Sequence, residues 1–389
     1  MLCVCAIQHI QHKDGDRASW QKTTTKLTYV SVGRSCCMRQ PTARSGEAEQ
    51  KHKQRKMKRI GNLFERIASI DNLRAAERNA RKGKRNTYGV RLFDRNAEAN
   101  LVRLHDMLMD GTFRTSQYSI FKVYKPKERD IYRLPYYPDR IVHHAIMRVM
   151  EPIWTRTLTH NTYSCIKGRG IEACRKDVRR FLDSHASERM YCLKTDIRKF
   201  YPSIDHGVLK RVLRRKVKDR RLLALMDEIV DSAPGLPIGN YLSQYWANLY
   251  LSYMMHDINE RQKVKAFEYA DDIVFFSRDK RVLHGMKVFA EKYMSERLHI
   301  EMKGNWQVFP IATDRYSHDG RAVDYVGYQF YMRHTLLRKS IKKAMLRKAA
   351  RLRRRKTAVT EKERRIALSP WTGWAEHCDS RKLMRVAKI

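Results

Sequence analysis

The spacing of apolar residues changes several times along the chain, and each change marks an element. Up to residue 56 no apolar period is sustained. From Met57 onward Ile60, Leu63, Phe64, Ile67 and Ile70 fall at helical spacing, which predicts an amphipathic helix. A helical, basic pattern continues to about residue 115. Residues 118–135 alternate instead, through Tyr118, Ile120, Val123 and Tyr124, then a Pro-Lys turn and Ile131-Tyr132, which reads as β structure. Ile141, Val142, Ala145, Ile146, Val149 and Met150 form the stripe of a helix over 138–154. A short apolar strand within 190–204 delivers Asp196 at its end. A helix over 206–231, basic on one side through Lys210, Arg211, Arg214, Arg215 and Lys216, comes next, then a Pro-Gly turn and a helix over roughly 241–260. FEYADDIVFFS (267–277) reads as a hairpin-like strand pair. No internal repeat is visible. Strands and helices mixed in this way predict an α+β fold, not a doubly wound sheet.

Composition narrows the function. At 42% hydrophobic and 31% charged the chain is ordinary for a folded protein, and 389 residues allow two or three subdomains. The charge is the unusual number: 81 Lys+Arg against 41 Asp+Glu leave +40. Self-repulsion on this scale calls for a polyanion, and nucleic acid is the default. No apolar run approaches the ~18 residues of a membrane span, and no signal-peptide core is present. Eight scattered Cys fit reduced thiols and a cytoplasmic setting. Cys3, Cys5, Cys36 and Cys37 lack the CxxC spacing of a zinc site. Residues 1–56 are accordingly expected to be a disordered arm or a translated upstream stretch, with the folded protein starting near Met57. His143, His144 and Glu172, with Cys165 and Cys174 nearby, also lack ligand spacing; the two His are expected in a packed helix.

The chemistry lies in the carboxylates. Asp271 and Asp272 are adjacent in a tight turn between hydrophobic strands, which is costly unless a cation neutralises them. Strand periodicity sends them to opposite sides, so a hairpin tip is where at least one can meet a metal. Asp196, 75 residues before Asp271, also ends a short apolar strand. Carboxylates from separate strands that clamp two Mg²⁺ ions are what in-line nucleotidyl transfer requires, with Mn²⁺ as the substitute.

At this point the sequence resembles the reverse transcriptases from about residue 118 to 376. YADD (269–272) is similar to the family's YxDD box, and LKTDIRKFYPSIDH (193–206) to its first catalytic-aspartate motif. LPIGNYLSQ (236–244) stands at the nucleotide-site motif, LHIEMKG (298–304) and VDYVGYQF (323–330) at later palm motifs, and KPKERDIYRLPYYPDRIVHHA (125–145) at the fingers. The resemblance implies a right-hand polymerase fold: N-terminal helices and fingers over 57–190, a palm over 191–332 and a short basic helical thumb over 333–389. Asp196, Asp271 and Asp272 would be the catalytic metal carboxylates, Asp272 less directly. Lys127 and Arg129, with Lys125 weaker, would reach the incoming triphosphate. Tyr201 either stacks under the sugar and excludes the 2′-hydroxyl or is a core tyrosine. Gly239 would let the backbone approach the nucleotide closely. Ile238 and Gln244 would line the same site, and Lys303 would be the palm lysine or a solvated one. The basic run LLRKSIKKAMLRKAARLRRRK (336–356) would grip template–primer phosphates through Arg347, Lys348, Arg351, Arg353, Arg354 and Arg355. Trp371, Trp374 and His377 are expected to pack the thumb's end or to stack on a base.

Most of the family has Gln-Gly where this chain has Ile238-Gly239. The form IGxxxSQ resembles the reverse transcriptases of diversity-generating retroelements, which copy a template-repeat RNA into cDNA with errors opposite adenines, and so diversify a target gene. An apolar Ile forgoes the polar contacts of a Gln, so a mispair loses less relative binding. The resemblance also implies template RNA, cDNA and dNTPs as partners, no membrane, and a small basic accessory oligomer. Like charges would require acidic patches or bridging RNA for that last contact. Only about 59 residues follow Phe330, few for a group II intron protein, and no retron VTG signature is present. The alternatives are an antiphage-defence or other domesticated reverse transcriptase and, without catalysis, a basic RNA-binding protein of polymerase-like fold. The latter would have no need to keep all three Asp.

Overall fold

The helical pattern expected up to about residue 115 folds as four helices: α1 (Phe64–Ala68), α2 (Ile70–Ala80), α3 (Tyr88–Asp94) and α4 (Ala97–Met109). They belong to a computed structural model that describes residues 59–124, 128–261, 264–354 and 359–387. The expectations for residues 1–56, Lys125, Lys127 and Arg355 lie outside the described residues. Leu63, Phe64 and Ile67 are buried as the helical period requires, but the single helix expected over Ile60–Ile70 is not formed: Ile60 is 39% exposed in a bridge to Val217, and Ser69 leaves the helical conformation to cap α2 through Asn72 N–H. The start of α1 is tied down from far along the chain, where the Asp219 carboxylate accepts from the backbone N–H groups of Leu63 (2.8 Å) and Phe64 (2.9 Å).

Strands β1 (Ser119–Val123) and β2 (Arg129–Arg133) form an antiparallel ribbon, paired from Ser119↔Arg133 to Val123↔Arg129. Helix α5 (Ile141–Thr155) is buried on nearly every side, His143 and His144 included. Helix α6 (Ile171–Asp183) and strand β3 (Tyr191–Asp196) follow.

The helix expected over 206–231 is two helices, α7 (His206–Arg214) and α8 (Arg220–Asp231). The apolar period runs on through the break, but tertiary contacts override it. Ile60 accepts from Lys218 N–H (2.9 Å) and donates to Lys216 C=O (2.8 Å), so Val217 sits in a short bridge to the start of the chain. Asp219 then caps α8 through Leu222 N–H (3.2 Å) while its other oxygen caps α1. Asp at an N-cap satisfies donors the helix leaves open.

Helix α9 (Ser243–Asn259) leads into β4 (Lys265–Tyr269), β5 (Asp272–Ser277), α10 (Lys280–Leu298) and β6 (Gln307–Pro310). A three-stranded sheet of β7 (Val323–Tyr325), β8 (Tyr328–Phe330) and β9 (Thr335–Leu337) precedes α11 (Lys339–Arg353), α12 (Glu361–Glu376) and α13 (Arg381–Ala387). The boundary expected at 332/333 therefore falls inside that small sheet.

The four-stranded antiparallel sheet runs in the order β4-β5-β3-β6 and separates two cores. Alternation assigns Leu193, Ile273 and Phe275 to the core built with α5 and α9. Cys192, Phe267, Val274 and Phe276 go to the core shared with α6, the three-stranded sheet and the C-terminal helices. On the outer edge of β4, Glu268 donates its N–H to Asn161 C=O (2.9 Å) and accepts from Tyr163 N–H (3.1 Å). Trp374 lies on the Tyr328 ring (5.4 Å between centroids) and against Gly327, so it packs the core, the first of the two roles expected for it. No described helix is long and apolar enough to cross a membrane.

Candidate active site

Register brings the two carboxylate motifs together. β3 pairs with β5 so that Asp196 stands opposite Asp272, and β4 pairs with β5 so that Tyr269 also meets Asp272. Directly opposed residues share a face, with Cβ atoms ~5 Å apart. Ala270 and Asp271 are left as a two-residue loop at the tip. Ala270 sits at φ 56°, in the left-handed region, a conformation that costs a residue with a Cβ about 1–2 kcal/mol. The hairpin behind it is pinned. The Tyr325 hydroxyl donates toward the carbonyls of Phe267 (3.1 Å) and Asp272 (3.4 Å). Glu268 is fully buried and accepts from the Thr162 hydroxyl (2.9 Å). Burial pushes its carboxyl up to about 8, so it is a neutral acid at pH 7.

Electrostatics at the tip show a shortage of positive charge. Burial, and then the charge of Asp196, push Asp271 up to about 6. Burial also raises Asp272, against the opposing pull of Lys194. One oxygen each of Asp196, Asp271 and Asp272 is buried with no hydrogen-bond partner. The ammonium of Lys303 bonds to Asp196, and that of Lys194 lies 3.8 Å from Asp272. No three His, Cys, Asp or Glu among the described residues converge as a closed metal cage. This pattern suits Mg²⁺, which is held by one or two carboxylates and completed by water and substrate phosphates. The unpartnered oxygens are where a divalent cation fits.

The nucleotide-motif residues form a second group. Leu236 donates its N–H to Tyr201 C=O (2.8 Å), and Tyr132 of β2 donates to Ile238 C=O (2.8 Å). Segment 236–240 thus bridges the turn after Asp196 and the β1–β2 ribbon that carries Arg129. Gly239 has φ 130°, and a Cβ there would run into the Tyr132 carbonyl. The close approach that demands glycine is therefore to β2 backbone. Tyr201 is partly buried, with its ring 5.5 Å from that of Phe200; Ile238 and Gln244 are half-buried. Lys303 also donates its backbone N–H to Asp196 C=O (2.9 Å), which fixes it beside the carboxylates.

On α11, Met345, Ala349 and Leu352 face inward, Arg347, Arg351 and Arg353 are exposed, and Lys348 is half-exposed; Arg354, at its C-cap, is exposed as well. His144 is stacked under Tyr241 (4.1 Å); burial lowers both it and His143 to about 3, so both are neutral. Sequence reasoning passed over Lys194, Tyr325 and the Asp324–Arg338 pair. The signal for Lys194 was present: it lies two residues before Asp196 in a strand, hence on the same face.

Residues 125–330 match the family model "Reverse transcriptase (RNA-dependent DNA polymerase)". Protein YkfC of Escherichia coli K12 is 23% identical over 173 residues, which cover 41% of this chain and 45% of that protein. Nuclear intron maturase 4, mitochondrial, of Arabidopsis thaliana is 22% identical over 180 residues, covering 43% and 22% respectively. The chain thus spans less than half the length of the curated relatives it matches. Among solved structures, apo telomerase from Candida tropicalis aligns with a TM-score of 0.42 at 10% identity, over 56% of this chain and 48% of that one. Telomerase from the same organism in complex with the TWJ fragment of telomeric RNA aligns with a TM-score of 0.45 at 8% identity, over 75% and 58%. The family model covers more than half of the sequence and contains β3, segment 236–244 and the β4–β5 hairpin whole; the chain belongs to the reverse transcriptase (RNA-dependent DNA polymerase) family.

Proposed function

We propose that the protein copies RNA into DNA at the tip of the β3–β5 pair, and that it does so as the mutagenic polymerase of a diversity-generating retroelement. The observation that carries the catalytic half is the register Asp196↔Asp272, which places two distant motifs at one hairpin tip with unpartnered oxygens. Asp196 and Asp271, with Asp272 less directly, would hold two Mg²⁺ ions, for which Mn²⁺ would substitute. One ion would lower the pKa of the attacking 3′-hydroxyl and the other would offset charge on the leaving pyrophosphate. Tyr201, held by its backbone bond to Leu236, forms the floor under the sugar. Arg129, and Lys127 near it in sequence, meet the triphosphate from the ribbon. In this reading 57–190 are the N-terminal helices and fingers, 191–332 the palm and 333–389 the thumb, and the exposed cations of α11 grip the template–primer.

The retroelement half rests on Ile238, whose backbone is tied to Tyr132 while its apolar side chain stays half-exposed. RNA-templated extension with Mg²⁺ and dNTPs on a four-base template, beside Asp271→Ala, tests both halves once the products are sequenced deeply. Errors concentrated opposite template adenines, and no synthesis by the variant, are the expected result. Uniformly low error would leave a reverse transcriptase of the antiphage-defence kind. No synthesis by either protein, with RNA binding intact, would leave an RNA-binding protein.

A further inference from the structure

Lys194 is the cation that the catalytic motifs do not explain. It lies on β3 two residues before Asp196, so strand periodicity puts both side chains on the face that carries Asp272. Its ammonium is 3.8 Å from the Asp272 carboxylate and donates to the backbone carbonyl of Asp324 on β7. The Asp324 side chain is in turn bonded to Arg338, the residue that precedes α11. Arg338 donates its own N–H to Gly327 C=O (3.0 Å). Lys194 is thereby held beside Asp272 by its bond to β7, with its side chain 31% exposed. Lys303 stands in the same relation to Asp196, fixed by its backbone bond to that residue. Of the three carboxylates at the tip, only Asp271 is without an ion-pair partner among the described residues. A cleft of about 310 Å³ lined by Lys194, Asp196, Asn305, Gln307, Arg321 and Asp324 opens beside them.

On the polymerase reading above, we infer that Lys194 is a positioning residue that serves as a built-in counter-ion. It keeps the Asp272 carboxylate in place in the metal-free enzyme and sets the threshold concentration at which a divalent cation enters. Three carboxylates gathered at one hairpin tip repel one another, and an ammonium on one of them holds the tip together before metal and substrate arrive. The same ammonium disfavours the incoming cation, because two positive charges must then share the face. A site arranged in this way binds metal weakly on its own. It fills when nucleotide phosphates add negative charge, which couples metal entry to substrate. Lys194 does not touch the reacting atoms in this role; it acts through Asp272.

The test uses the full chain stripped of metal, with Mn²⁺ as the probe and free Mn²⁺ read by its electron paramagnetic resonance signal. Lys194→Gln is expected to bind Mn²⁺ about 5–10-fold more tightly than the wild type, from loss of one like charge near the site. Lys194→Arg is expected to return to the wild-type affinity. In the same series the Tm increase on adding Mg²⁺ is expected to be larger for Lys194→Gln than for wild type, because its metal-free form starts lower. Unchanged or weaker Mn²⁺ binding by Lys194→Gln, while Asp271→Asn abolishes binding, would overturn the inference and leave the carboxylate site standing. Wild-type Mn²⁺ binding by Asp271→Asn would instead overturn the placement of the metal at this tip, and the inference with it. A merely structural lysine would lower Tm equally with and without Mg²⁺ and would leave Mn²⁺ affinity unmoved.

Discussion

Two antiparallel hairpins of similar length, β1–β2 and β4–β5, live in opposite environments. β4–β5 is buried along almost its whole length, with a core against each face and β3 alongside. β1–β2 stands as a two-stranded ribbon with Ile120 56% and Phe121 45% exposed. A two-stranded sheet alone is marginal in water, and this one is docked through Tyr132 onto Ile238. The difference teaches where this fold invests order. The hairpin that presents carboxylates is over-determined, down to a neutral Glu268 and a left-handed Ala270. The hairpin proposed to meet the nucleotide leaves Ile120 and Phe121 on the surface, the kind of side chain that suits base stacking.

Truncating one aromatic in each hairpin breaks this comparison most directly. Phe275→Ala is expected to lose about 3–5 kcal/mol of stability, whereas Phe121→Ala should stay within about 0.5 kcal/mol; urea denaturation of both variants measures it. Equal losses would mean that the ribbon is packed in solution. Glu268 supplies the next largest effect, and it depends on pH. Its folded carboxyl is raised to about 8 from an ordinary 4.5, so the native state keeps a proton that the unfolded chain releases. Glu268's own contribution to stability therefore falls as pH rises from about 4.5 to 8 and levels off beyond. Glu268→Gln removes that fall. The variant should match wild type near pH 4 and exceed it by a few kcal/mol near pH 9, in melting curves taken across the range.

Gly239→Ala sharpens the other side. A Cβ there meets the Tyr132 carbonyl, so the ribbon must shift. The KM for dNTP should rise about 10-fold and Tm should fall, because an Ala at φ 130° is strained and meets backbone, as steady-state extension and a melt would show. The smallest effect is expected of Ile238→Gln, which should lower misincorporation opposite template adenines several-fold without changing fold or metal binding. Sequencing of products from matched reactions reads it.

The carboxylate hairpin was legible because its signals are local: strand alternation, a two-residue tip and a second apolar strand ending in Asp. The break between α7 and α8 was not, since it depends on Val217 meeting Ile60 across the chain and on Asp219 capping two helices at once. The sheet of β7–β9 escaped because its strands are three residues each, too short for a period to show. Helix α10 was passed over although its cap was visible: Asp279 accepts from Arg281 N–H at 2.7 Å. Gly239 was read as a close approach, and so it is, but its neighbour is β2, which no spacing in the sequence identifies. Lys194 needed only the two-residue rule already applied to its neighbours.

The backbone bonds of Asn161 and Tyr163 to Glu268 have a consequence for solubility. β4 is an outer strand of the four-stranded sheet, and an uncovered outer strand is a template for another chain. The 161–163 segment occupies the Glu268 amide and carbonyl where a second copy would dock. At the opposite border β6 ends in Pro310, which has no N–H to offer. An apolar sheet that must carry carboxylates to its rim is thus guarded at both margins, and concentrating this protein on a polyanion need not nucleate aggregation through that sheet.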